Sequence, residues 1–273
     1  MAHHLPNLSC RALLLVSASA LAQNDTVLIT SPASQQVSGF ENLSLRQAPF
    51  SATNIDNATL RDLGAQRISE ALRLDSSVTD SYNSPAYWDI LSVRGYTLDN
   101  RYNYRREGLP INAETMIPMD NKERIELFKG TSGIQAGTSA PGGIAYYVVK
   151  RPPNSIESSV RSLTLSYGNG NNSSVALDVG GRYGENNAFG YRMNAAYEDL
   201  NPYVQNAKGH RQLLALAMDW RINANTRLEW EVASSSRQQM GVNAASITGN
   251  TLPSPAYGQN NFSQQSWSVP GVF

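Results

Sequence analysis

The chain has 273 residues, of which 41% are hydrophobic and 16% charged, and its 22 basic side chains balance 22 acidic ones. Balanced charge offers no electrostatic footprint for nucleic acid, and no stretch approaches the ~18 consecutive apolar residues of a membrane-spanning helix. A transmembrane barrel stays open, because its alternating strands cancel in average hydropathy.

Arg11, the apolar run Ala12–Val16 and Ala20-Leu21-Ala22 predict a secretory signal over residues 1–22, cut before Gln23. Cys10, the only cysteine, falls inside it, so the mature chain needs no disulfide. Residues 23–45 read as a flexible polar segment carrying one β-prone island, Asp25-Thr26-Val27-Leu28-Ile29. Such an island suits addition as an edge strand to another protein's sheet; an ordinary disordered terminus is the other reading of these residues.

Pro49 to Ile55 reads as a strand. Asp56 or Asn57 then caps a helix through Arg61, with Ile68, Ala71 and Leu72 as an apolar face. A polar loop from Ser76 to Asp89 carries Tyr82, Tyr87 and Trp88. A short strand follows and ends in Arg94-Gly95-Tyr96, and a second loop holds Arg101, Tyr102 and Tyr104. The chain then turns at Glu107-Gly108 before Asn112. Two apolar runs come next: Arg124–Phe128, ending at Lys129-Gly130, and Ile144–Val149, ending at Lys150-Arg151-Pro152. The Ser/Gly/Ala segment and Pro141-Gly142-Gly143 between them predict two strands around a compact loop. Gly130, Gly133, Gly137, Gly142 and Gly143 are turn positions in this reading.

From Val160 the pattern changes to strict alternation in five segments: 163–167, 175–179, 189–198, 214–222 and 227–232. A soluble sandwich and an outer-membrane barrel both produce this period. Aromatics at strand ends (Tyr167, Tyr183, Tyr197, Trp220), alternately short and longer connections, and polar faces bearing both charge signs favour the barrel. The three histidines, His3, His4 and His210, supply no His-based triad or metal cluster, and no glycine cluster leads into a phosphate loop. An enzyme is therefore not expected.

Glu123 to Gly130, Pro141-Gly142-Gly143 and Lys150-Arg151-Pro152 resemble the end of the plug domain in TonB-dependent outer-membrane siderophore receptors. Thr131 stands where the family has proline, and Ala136 where it has tyrosine. Glu70 to Arg73, Ser92 to Tyr96 and Glu107-Gly108 extend the likeness. The resemblance implies an α+β plug, a small mixed sheet with short helices, over residues 46–153. After it, residues 154–273 form the first strands of a transmembrane antiparallel barrel, about five of the roughly 22 that close around a plug.

It further implies a C-terminally truncated receptor in the outer membrane of a Gram-negative bacterium, contacting outer-membrane lipid. Such a receptor binds a ferric siderophore and transports it, with no cofactor or protein-bound metal of its own. Asp25 to Ile29 become the TonB box, offered to TonB of the TonB-ExbB-ExbD complex. Arg94, Arg124 and Glu126 become charges that lock the plug to the barrel wall. Tyr82, Tyr87, Trp88, Arg101, Tyr102, Tyr104 and Asn112 become the ligand face, aromatic and cationic enough for a large anionic chelate. Alternatives are a plug fragment that binds ligand or TonB without transport, and a receptor for cobalamin or another chelate.

Overall fold

The computed structural model describes residues 36–37, 40–44, 50–82, 87–130, 141–168, 172–202 and 207–240, the first two segments by their backbone alone. The expected signal with Cys10, the Asp25–Ile29 island, Gly133, Gly137 and the chain after Met240 lie outside the described residues. Strands β1 (Gln36–Val37) and β2 (Phe40–Ser44) form a small antiparallel pair.

The plug is built on a mixed sheet of five strands. β3 (Ser51–Asp56) ends at Asp56, whose carboxylate accepts from the Thr59 amide at 2.8 Å and caps α1 (Asn57–Asp62). The expected single helix is two: Gly64, with φ +59°, ends α1, and α2 (Ile68–Ala71) starts afresh. Leu60, Ile68, Ala71 and Leu72 are buried from these two turns. A three-stranded antiparallel sheet follows, β4 (Val78–Asp80), β5 (Leu91–Val93) and β6 (Tyr96–Thr97). Then come the hairpin β7 (Tyr104–Arg106) and β8 (Leu109–Pro110), and the long pair β9 (Lys122–Lys129) and β10 (Gly143–Val149).

The sheet order is β3-β9-β10-β7-β8, with β10 and β7 parallel and the remaining neighbours antiparallel. Period-two alternation divides β9 and β10 between its faces. Ile125, Leu127, Ala145 and Tyr147 join the main core with Leu60, Ile68, Leu91 and Tyr104, while Phe128, Ile144 and Tyr146 pack together on the other side. Both turns that carry the family resemblance have two residues in the left-handed region: Arg94-Gly95 (φ +53° and +85°) and Glu107-Gly108 (φ +49° and +82°). That geometry is the hairpin turn whose twist matches the strands it joins.

The five predicted alternating segments are five strands of one antiparallel meander: β11 (Val160–Tyr167), β12 (Ser173–Tyr183), β13 (Phe189–Leu200), β14 (Gly209–Asn223) and β15 (Thr226–Gln239). Leu163, Leu165, Leu214, Leu216 and Val232 point outward, whereas Asn194, Glu198, Arg211 and Asp219 are buried on the inner face. Leu165 is 73% exposed and Ala215 only 4%. An apolar exterior over a charged interior is the arrangement of a wall between lipid and a polar lumen, and the reverse of a soluble sandwich. Tyr183, Phe189 and Trp220 stack along one end of the wall, with ring centroids 5.5 Å apart from each to the next. Tyr167, Tyr197 and His210 lie at the other end, Tyr197 stacked on His210 at 6.2 Å. Connections run through residues 184–188 and 224–225 at the first end and through 168–172 and 201–208 at the second, the last being the longest.

Candidate functional site: the plug loops and the plug–wall interface

Three plug loops are sewn together by Asn100, which is buried. Its side-chain amide donates to the Asp89 carbonyl at 3.1 Å and the Ala113 carbonyl at 2.9 Å, and its backbone carbonyl accepts from the Ala113 amide at 2.8 Å. Asn103, also buried, accepts from the Asp99 amide at 3.0 Å and donates to the Gly143 carbonyl at 2.5 Å, fixing the middle loop to the Pro-Gly-Gly turn. Asp89 anchors the first loop to α2: it accepts from the Ser69 hydroxyl at 2.8 Å and pairs with Arg67 at 3.3 Å. Burial raises the Asp89 carboxyl, against the opposing pull of Arg67 and Ser69.

This knot brings most of the expected ligand face together. Tyr82, Tyr87 and Trp88 form an edge-to-face aromatic series with centroids 5.9 and 6.0 Å apart. Arg101 and Tyr102 are exposed on the adjoining loop, and Asn112 on the third, where its side-chain oxygen accepts from the Glu114 amide at 2.8 Å. Tyr104 is a correction: it is a strand residue, 1% exposed, stacked on Tyr147 in the main core and unavailable to a ligand. Burial pushes both hydroxyls up, so they remain protonated. Arg101 is already engaged, its Nε 3.2 Å from Glu114 Oε1.

The expected lock residues lie on β9 and in the turn between β5 and β6. Arg124 and Glu126, two apart on one face of β9, pair with each other at 2.6 Å. Arg94 occupies an exposed turn with no ion pair among the described residues, its guanidinium near Gly130. Other charges join plug to wall. Lys150 reaches Asp178 of β12 at 2.9 Å, and Asp178 is also held by both arms of Arg192 at 2.5 and 2.8 Å. Asp120 takes both terminal nitrogens of Arg211 from β14, at 2.6 and 3.3 Å, while Glu198 and Gln66 accept from the same guanidinium. Arg106 pairs with Glu231 of β15.

Near the short-turn end Arg182, buried against Asp219 at 2.9 Å, donates to the Pro153 carbonyl at 3.0 Å, where the plug passes into the wall. At the long-loop end a cleft of about 810 Å³ separates the α1–α2 junction (Gly64, Arg67, Glu70) from Tyr167, Asn172 and Asn201. The signal for the wall partners was present in the sequence: Asp178, Glu198, Asp219 and Glu231 are charges at inward positions of alternating strands.

One further charge lies in this interface. Lys122 is 2% exposed and donates to the Asn121 side-chain oxygen, with its ammonium 6.0 Å from the Tyr147 ring centre. Burial and the neighbouring Arg106 bring it down to about 7, against Glu231, Asp120 and Glu107.

Residues 44–144 match the family model of the TonB-dependent Receptor Plug Domain. The chain is 25% identical over 226 residues to the ferrichrome receptor FcuA of Yersinia enterocolitica, covering 81% of this chain and 29% of that one. To the ferrioxamine B receptor of Salmonella typhimurium it is 25% identical over 219 residues, covering 78% and 31%. Among solved structures, the ferripyoverdine receptor of Pseudomonas aeruginosa aligns with a TM-score of 0.64 at 21% identity, covering 72% of this chain and 26% of that one. The ferric-catecholate import receptor Fiu of E. coli aligns at 0.63 and 22%, covering 71% and 28%. The chain thus spans less than a third of the length of these curated relatives. Residues 44–144 therefore match a TonB-dependent receptor plug domain, and the antiparallel strands after them resemble the start of the barrel in the solved receptor structures.

Proposed function

We propose that this chain is the plug and first barrel strands of a TonB-dependent outer-membrane receptor that binds a ferric siderophore at the cell surface and transports it to the periplasm. The observation that carries the reading is the pairing of a lipid-type wall with a plug held to it by Lys150–Asp178, Asp120–Arg211 and Arg106–Glu231. A plug that only blocked a pore would need no such set of exchangeable polar contacts. Ion pairs and water can reform stepwise as the plug moves, whereas an apolar contact of similar extent would hold it.

Tyr82, Tyr87, Trp88, Arg101, Tyr102 and Asn112 are the proposed ligand face, and the Asp25–Ile29 island is the segment proposed to add to TonB. Iron would be held by the chelator, so no protein ligand to the metal is needed. The names of the relatives, receptors for ferrichrome and ferrioxamine B, support a siderophore over cobalamin. The test is deletion of Asp25–Ile29 in the longer receptor. Uptake of radiolabelled ferric siderophore should vanish while binding to whole cells persists. Uptake that survives the deletion would sink the TonB-driven transport reading, leaving binding alone.

A further inference from the structure

The plug is not held to the wall evenly, and its firmest seat is its C-terminal corner. Arg182 of β12, with a side chain 1% exposed, directs three nitrogens to separate partners there. Nη1 donates to the Pro153 carbonyl at 3.0 Å, Nε to the Asn187 carbonyl at 2.9 Å and Nη2 to Asp219 at 3.0 Å. One guanidinium thus fastens the end of the plug, the turn after β12 and strand β14. Pro152 and Pro153 are both buried, and Gly190 of β13 makes room for them. A Cβ at Gly190 would collide with Asp219 and lie 2.7 Å from the Pro152 Cβ. Two residues before Pro152, the buried Lys150 donates to the Asp120 carbonyl at 2.8 Å and meets Asp178 at 2.9 Å. Glu107 closes the corner from the plug side, accepting from the Val149 amide at 2.6 Å and pairing with Arg151 at 3.2 Å.

Contacts away from the corner are of another kind. Arg106, which pairs with Glu231, has a side chain 34% exposed, so water can take over from its partner. Parting Arg182 from its acceptors would instead leave a desolvated charge unpaired, the costlier event. The plug sheet shows the same gradient. Every residue of β10 except Val148 is buried, whereas Ile55 is the one buried residue of β3. β3 is also an edge strand of that sheet, bonded to β9 along one side.

We infer that the corner from Lys150 to Asn154 is a fixed pivot: the plug opens from its β3 edge while β10 and the corner stay docked in the wall, and it does not leave as one body. Tension from the N-terminal side meets the edge pairing of β3 first, and the buried carbonyl bonds of the corner last. The order of opening is a property of the fold, whereas its use in transport rests on the reading above.

The experiment is native-state hydrogen exchange of the full chain in detergent micelles, read by mass spectrometry at urea concentrations below unfolding. Opening at the edge predicts that β3 amides exchange at least tenfold faster than those from Ala145 to Arg151. The latter should exchange in step with β12–β14. Arg182→Met should speed exchange from Val149 to Asn154 at least tenfold and leave β3 within twofold of the parent, which a general loss of stability would not do. If that variant does not fold, the pattern in the unaltered chain still decides. Exchange of β10 together with β3, ahead of the wall, overturns the inference, and so does a folded Arg182→Met chain whose corner exchanges no faster than the parent's. Either result leaves transport itself to be judged by the uptake test.

Discussion

The residues of the family resemblance have identifiable physical jobs. Lys129, which closes the first apolar run, pairs with Asp75 at 2.5 Å, and Thr53 and Ser77 donate to the same carboxylate. Burial alone would raise Asp75, but these partners bring it well below the usual carboxylate range. A depressed carboxylate adds stability that is complete above the unfolded value of about 4 and is lost as the pH falls through the folded one. Asp75→Ala leaves a buried lysine unpaired and should cost about 3 kcal/mol or more, read from urea unfolding of the plug tryptophan signal at pH 7. At pH 3 the difference from the parent should shrink.

Lys122 gives the same upward slope of stability with pH in a higher window, but as a cost at neutral pH instead of a gain. Its folded value of about 7 lies below the ordinary ~10.4 of lysine, so between these values the unfolded chain holds the extra proton. Stability should therefore rise from about pH 7 to about pH 10. Lys122→Met should flatten that rise in a pH series of unfolding curves. Gly143 is fixed by space as well as by backbone: its φ is +145°, and a Cβ there would sit 2.0 Å from the Phe128 carbonyl oxygen. Gly143→Ala should open the β9–β10 pairing, seen as protease cleavage near the Pro-Gly-Gly turn under conditions that leave the parent intact.

At the scale of elements, the plug was legible because its strands are bounded by residues with local reasons to turn. Arg94-Gly95, Glu107-Gly108 and Gly142-Gly143 all take the left-handed backbone that two-residue hairpins and tight reversals require. The helical region was less legible, since Gly64 splits it and neither piece exceeds two turns. The lock between plug and wall was legible as chemistry but not as pairing. Local sequence fixes that charges point inward; it does not say which strand the plug will face. Arg124 pairs with Glu126 because two positions along a strand return to the same face. Asp120 and Arg211 are a testable pair: a double-mutant cycle with Asp120→Asn and Arg211→Gln should show a coupling of about 1–3 kcal/mol, by unfolding in micelles. Additive effects would mean that Glu198 and Gln66 hold Arg211 without help from Asp120.

For the whole molecule, the decisive property is which face of the meander meets water. Apolar positions such as Leu165 and Leu214 face outward and Asp219 and Arg211 inward, so on the proposed outer-membrane reading a charge placed outward would sit in lipid. Leu214→Arg should weaken folding into phospholipid vesicles by about 2–4 kcal/mol, whereas the same change near the aromatic ends should cost about 1 or less. If both changes cost the same, the outer face is not lipid-facing.

The sequence by itself determined the strand periods, the turn positions and the alternation of the wall, because each depends on neighbours within a few residues. It also set the inventory of the proposed ligand face: the aromatics, Arg101 and Asn112 are local features of the plug loops. Only the tertiary structure decided which of these stand together. Asn100 gathers three loops that are distant in sequence, Tyr104 turns into the core, and Arg101 pairs with Glu114 of the third loop. Those outcomes depend on packing across the fold, where a buried tyrosine stacks on another and each buried amide or charge takes whichever partner the assembled sheets bring within reach.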